Sequence, residues 1–163
     1  MTDRSGFDEF VHARGPALAR TAYLLTGDHH LAEDLVQAAL VQAAKHWERI
    51  ETSPEAYVRR TMYHQNISWW RRRRLAESPL ESYETPVPAA DPTLRLTLEQ
   101  ALRRLTPRQR TVLVLRFFED LTEVQTAAAL GISSGAVKSM SRQALQRLRV
   151  LAPELADLVG ADA

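Results

Sequence analysis

Cysteine is absent from the 163 residues, which removes disulfides, thiolate zinc sites and thiol redox sensing from this chain. Long apolar runs are absent as well: none approaches the roughly 18 residues a membrane span needs. The opening residues, MTDRSGFDEF, are acidic and broken, unlike the charged-then-apolar pattern of a secretory signal. A cytoplasmic protein with no membrane insertion is therefore expected. No segment keeps a two-residue apolar alternation for long, so the expected fold class is all-α. The chain has no phosphate-cradling glycine loop, no H-E-x-x-H and no nucleophile elbow. The expectation is a protein that is not an enzyme and uses no cofactor. His29, His30 and Glu33 have ligand chemistry, but at the start of a helix they read as a solvated end, and no metal site is expected. Net charge is also nearly lacking, with 21 basic against 20 acidic side chains. One local absence says more: no acid lies between Glu55 and Glu77, a window that holds Arg59, Arg60, Arg71, Arg72, Arg73 and Arg74.

Four of the eight prolines (Pro79, Pro86, Pro88 and Pro92) crowd into SPLESYETPVPAADP. Proline blocks helix continuation, and large apolar residues are few here, so residues 76–92 read as an extended linker. It separates two small helical domains, residues 1–75 and 93–163, each near the lower size limit for an independent core. The first domain reads as three helices. One runs from about Phe7 to Thr26, with Phe7, Phe10, Val11, Leu18, Ala22 and Leu25 inward and Gly27 as its stop. Asp28 caps a second, LAEDLVQAALVQAAKHW, and Ser53-Pro54 opens a third, EAYVRRTMYHQNISWWRRRR. In the second domain, a helix from Thr93 carries Leu94, Leu98, Leu102 and Leu105 in register. Thr106-Pro107-Arg108-Gln109 is a capping box that opens another, running through about Phe118.

Residues 121–149, LTEVQTAAALGISSGAVKSMSRQALQRLR, read as a complete helix-turn-helix. Thr122 with Gln125 is a capping box for the first helix. Ala127, Ala128 and Leu130 give it a small, close-packing face. Gly131 supplies the sharp turn, and Ile132 plugs the corner. Ser133 and Ser134 suit the N-cap of a second helix, in which Val137, Met140, Ala144 or Leu145, and Leu148 point inward. Ser134, Lys138 and Arg142 share the opposite face, with Ser139 beside them. A helix packed on one side and polar-basic on the other, near its N-terminus, suits the DNA major groove.

The third helix interleaves Tyr57, Tyr63, Trp69 and Trp70 with six arginines and His64. Basic side chains track phosphates, and aromatic faces stack unpaired bases at about 1–3 kcal/mol each. At least one tryptophan is expected in the core, because adjacent helix residues cannot both point fully inward. Together with a duplex reader in the other domain, this helix implies a protein that touches double-stranded and unpaired DNA together.

Three ordered blocks, FVHARGPALARTAYLLTGDHHLAEDLVQ, SWWRRR and LTPRQRTVLVLRFFEDLTEVQTAAALGISSGAVKS, resemble the extracytoplasmic-function sigma factors of bacterial RNA polymerase, in their SigE-like actinobacterial form. The resemblance covers nearly the whole chain except the linker. It implies a promoter-specificity subunit whose first domain binds the clamp of the largest polymerase subunit and melts the −10 element. Its second domain reads the −35 element and docks on the flap of the second-largest subunit. The resemblance places Asp34 and Gln37 on the clamp-binding face and the loop HWERIETS against a flipped −10 base. It places Arg59, Arg60, His64, Trp69, Trp70 and Arg71 to Arg74 along the unpaired strand and adjacent duplex, and Ser134, Lys138, Ser139 and Arg142 at the −35 element. An anti-sigma factor is among the partners it admits. The chain departs from the family pattern at Ala38, where glutamate is usual after DLVQ, at His64, where asparagine is frequent, and at Arg142-Gln143. The alternative is a two-domain helix-turn-helix regulator that binds operators without joining polymerase.

Overall fold

The computed structural model describes residues 4–51, 53–76 and 97–155, and its regular elements are all helical. The chain forms two compact units, Met1–Ser68 and Trp69–Ala163. Nearly all of the expected linker, with Thr93 and Leu94, lies outside the described residues; Ala76 closes a helix.

In the first unit, α1 spans Arg4–Thr26 and α2 spans His29–His46. Gly27 stands at φ 69° between them, a left-handed conformation that glycine adopts without steric cost. Its N–H donates to the Tyr23 carbonyl at 2.8 Å. Asp28 then caps α2 by accepting from the Leu31 N–H at 2.9 Å. That bond holds the Asp28 carboxyl below its usual pKa, because it favours the charged form. α1 continues through the exposed Pro16, which costs one backbone bond. A 3₁₀ turn, Trp47–Arg49, follows α2. Ser53 accepts from the Ala56 N–H, and Pro54 occupies the first position of α3, Pro54–Ala76, whose residues from Trp69 on belong to the second unit.

Leu18, Ala22 and Leu25 of α1, Leu35, Ala39 and Ala43 of α2, and Val58, Met62 and Tyr63 of α3 are buried. Burying each leucine fully contributes about 1.5–3 kcal/mol relative to exposure. Phe7, Phe10 and Val11 are half-buried. Tyr63 belongs to this core at 4 % exposure, which removes it from the aromatic set available to bases.

The second unit carries α4, Leu98–Arg103, and α5, Pro107–Leu113. Thr97 and Thr106 each close a reciprocal capping box with the glutamine three residues on. Arg110 donates to the Leu102 carbonyl at 3.0 Å and so covers the end of α4. Burial, then the neighbouring Arg103 charge, push its guanidinium down to about 10, so it stays cationic at neutral pH. The helix expected to run to Phe118 does not remain α-helical, because Val114–Phe118 are π-wound. Glu119 N–H reaches back to the Val114 carbonyl at 3.0 Å, and Arg116 Nη1 donates to the Leu121 carbonyl at 2.6 Å. Asp120 completes this turn at φ 53°, a left-handed value tolerated by Asp more readily than by most residues.

Candidate nucleic-acid interface

The helix-turn-helix consists of α6, Glu123–Leu130, and α7, Ser134–Leu151. Thr122 and Gln125 form the expected reciprocal capping box. Gly131 adopts φ 67°, and its N–H together with that of Ile132 satisfies the Ala127 carbonyl. A side chain at Gly131 would meet nothing within 4 Å, so the left-handed backbone, not space, requires glycine. Ser133 caps α7 by accepting from the Ala136 N–H at 3.1 Å. Ile132, Leu130 and Met140 pack on Val112, Ala127 and Val137, so the corner is closed as the sequence suggests. The close-packing face of α6 differs in one residue. Ala128 is exposed, and Thr126 is fully buried in its place. Residues 126, 127 and 130 share a helical face that 128 cannot join.

Val137, Ala144, Leu145 and Leu148 are buried along α7, while Ser134, Lys138, Ser139 and Arg142 are all exposed. Lys138 and Arg142 make no ion pair among the described residues. One turn apart, they carry two cations on the side of the helix away from the core.

On α2, Asp34 and Gln37 are both exposed. Val41, one turn beyond Gln37 and 52 % exposed, extends the same face with an apolar residue.

The arginine pair of α3 divides. Arg60 is exposed, whereas Arg59 is held inside the first unit. Arg59 Nη1 donates to Thr21 Oγ1 of α1 at 2.8 Å, and its Nε and Nη2 donate to Glu55 Oε1 at 3.2 and 3.0 Å. The other Glu55 oxygen pairs with Arg14 at 2.9 Å. Consecutive helix residues point about 100° apart, so only one of two neighbouring arginines can reach α1. This network was not legible as such; its only sequence signal is Glu55 one turn before Arg59.

His64, Arg71 and Arg72 are exposed. The backbone of α3 includes Arg73 and Arg74, whose side chains lie outside the described ones. At least one tryptophan is expected in the core; Trp69 and Trp70 are both half-buried, so each is only partly withdrawn from solvent. Within the second unit, the Arg108 guanidinium stands 5.2 Å from the Trp70 ring centroid. Trp47 is a further aromatic feature: Phe7 meets its ring edge-on at 5.3 Å and Phe10 at 5.6 Å.

His29 stacks on Tyr23 with centroids 4.3 Å apart. Among the described residues no three acidic or imidazole side chains converge in a way that would hold a metal. No described helix is long and apolar enough to cross a membrane.

Residues 10–76 match Sigma-70 region 2, and residues 101–150 match Sigma-70, region 4. The chain therefore belongs to the sigma-70 family, as an extracytoplasmic-function sigma factor of bacterial RNA polymerase. It is 43% identical over 148 residues to the RNA polymerase sigma-E factor of Streptomyces coelicolor, spanning 88% of this chain and 84% of that protein. The sigma-E factor of Streptomyces avermitilis is 41% identical over 150 residues, spanning 88% and 83%. Among solved structures, the sigma factor RpoE of Bartonella quintana, in complex with the anti-sigma factor NepR, aligns with a TM-score of 0.66 at 25% identity. That alignment covers 90% of this chain and 96% of the other. The operator-binding alternative is not favoured, since it gives no reason for a region 2 match.

Proposed function

We propose that the chain, as a cytoplasmic subunit without catalytic activity of its own, brings core RNA polymerase to promoters by dividing contacts between its two domains. Residues 1–75 hold the clamp of the largest subunit and the −10 element; residues 93–163 hold the −35 duplex and the flap of the second-largest subunit; residues 76–92 link them. The observation that carries this reading is α7, where Ser134, Lys138, Ser139 and Arg142 form one exposed polar face behind a buried apolar one. Such a helix enters the major groove, with side chains at its N-terminal end reaching base edges and cations holding phosphates. Arg60, His64, Arg71 and Arg72 supply exposed polar and cationic groups along α3 for the unpaired strand, with Arg73 and Arg74 continuing the basic run. Arg59 supports this surface from behind by fixing α3 to α1 through Thr21. The NepR complex of the Bartonella relative supports an anti-sigma factor as a partner here.

Lys138→Ala and Arg142→Ala should each lower −35-dependent transcription. Loss of a phosphate-contacting cation flattens the salt dependence of promoter binding by about one unit of slope. Binding titrations at several salt concentrations check this, and an unchanged slope in both variants places the recognition face elsewhere on α7.

Asp34 and Gln37 are exposed, so replacing both with alanine should leave the fold intact while weakening association with core polymerase. Competition between parent and double variant for limiting core enzyme tests the assignment. Equal competition by the two refutes the clamp-facing role of these residues.

A further inference from the structure

Two pairs of contacts in the first unit converge on one short segment from opposite ends. At its near end, Trp47 begins the 3₁₀ turn that leaves α2, and His46 provides no side-chain cap there. What engages Trp47 is a pair of rings from α1, Phe7 edge-on and Phe10 tilted. At its far end, Ser53 and Pro54 start α3, and Glu55 binds Arg14 of α1 while Arg59 binds Thr21 of α1. Phe7, Phe10, Arg14 and Thr21 fall within roughly 60° of one another around α1, at 3.6 residues per turn. One stripe of α1 thus grips both ends of the connection between α2 and α3. Of that connection only Thr52 lies outside the described residues, and Glu48, Arg49 and Glu51 are exposed.

We infer that this stripe of α1 acts as a splint that sets the shape of the α2–α3 segment, making Phe7, Phe10 and Arg14 positioning residues for −10 base selection. The inference rests on the −10 role proposed for residues 1–75, with this segment against a flipped base as the family resemblance implies. None of the three needs to touch DNA. A segment held at both ends before binding loses less conformational freedom when it closes on a base. Aromatic edge-to-face contacts favour a particular ring orientation, which aliphatic side chains of similar size do not impose. A loosened segment accommodates more than one base, so the splint acts on discrimination more than on affinity.

The test uses the full chain with core polymerase on promoters that carry each of the four bases at each −10 position. Phe7→Leu combined with Phe10→Leu keeps apolar volume and removes the ring geometry. Its expected result is about a fivefold fall in the ratio of best to worst base, with polymerase association unchanged. Trp47→Phe, which retains a ring against Phe7 and Phe10, should keep the parent ratio. If the double variant fails to fold, Arg14→Ala decides, since Arg14 is 54% exposed and its loss removes one far-end tie, the ion pair with Glu55, while Arg59 keeps its bond to Thr21. A folded variant of either kind with the parent ratio overturns the splint. Arg49→Ala and Glu51→Ala separate the two levels of the argument. If they alter base preference and the α1 variants do not, the splint alone is wrong. If they leave preference untouched, the segment does not read the base, and the proposal falls with that placement.

Discussion

Mixed with duplex promoter DNA alone, the chain leaves the −10 thymines unreactive to permanganate; adding core polymerase makes them reactive. The expectation follows from two opposing magnitudes. Stacking of unpaired bases on Trp69 and Trp70 supplies about 1–3 kcal/mol per base, hence about 2–6 kcal/mol for both. Opening about ten base pairs at a mean near 1.4 kcal/mol per step costs roughly 14 kcal/mol. The half-burial of both tryptophans lowers the favourable side further, since part of each ring already faces protein. Neighbouring arginines add phosphate attraction, but this acts on duplex and single strand alike and does little to open one into the other. Polymerase must supply the difference. Reactive thymines with the purified chain alone would show that the aromatic and basic residues of α3 do far more than this arithmetic allows.

Leu148→Ala should unfold much of the second unit while leaving the first intact. Leu148 is fully buried on α7, alongside Val137, Ala144 and Leu145. Deleting a buried leucine side chain costs about 2–5 kcal/mol, from lost transfer energy plus the cavity left behind. Whole domains have only about 5–15 kcal/mol in total, and one this small lies at the lower end. Hydrogen exchange should show α7 amides losing protection while those of α1 and α2 keep theirs. Binding to −35 duplex should fall in step with the folded fraction. A variant that melts like the parent, with α7 still protected, would mean that the recognition helix is not held by the face assigned to it.

The parts legible in the sequence are those where one residue type has one physical use. Thr106 and Gln109, Thr122 and Gln125, Gly131 and Ser133 each satisfy a specific backbone need, and each does so where expected. Leu18, Leu25, Leu102 and Leu148 are buried because a 3.6-residue period leaves them no other face. Periodicity was silent on the π-wound end of α5, since VLRFF remains apolar in either winding and the change depends on the Arg116 bond to the Leu121 carbonyl. It also could not divide Arg59 from Arg60, because that depends on which residue faces Thr21 across 38 positions of chain. The sequence pattern carries the second helix through Trp47 and also counts it in the loop HWERIETS, whereas it opens the 3₁₀ turn that follows α2. Its partners Phe7 and Phe10 lie on another helix, and the turn that brings them together is set by Gly27 and Asp28.

The most direct measurement is run-off transcription with core polymerase reconstituted with the purified chain, followed by mapping of start sites over a genomic template library. The account predicts discrete starts that share two sequence elements at fixed spacing upstream. It also predicts that Lys138→Ala and Arg142→Ala weaken dependence on the distal element while leaving start positions unchanged. Discrete binding of the chain to DNA, with no association with core polymerase and no starts beyond those of core enzyme alone, would contradict it.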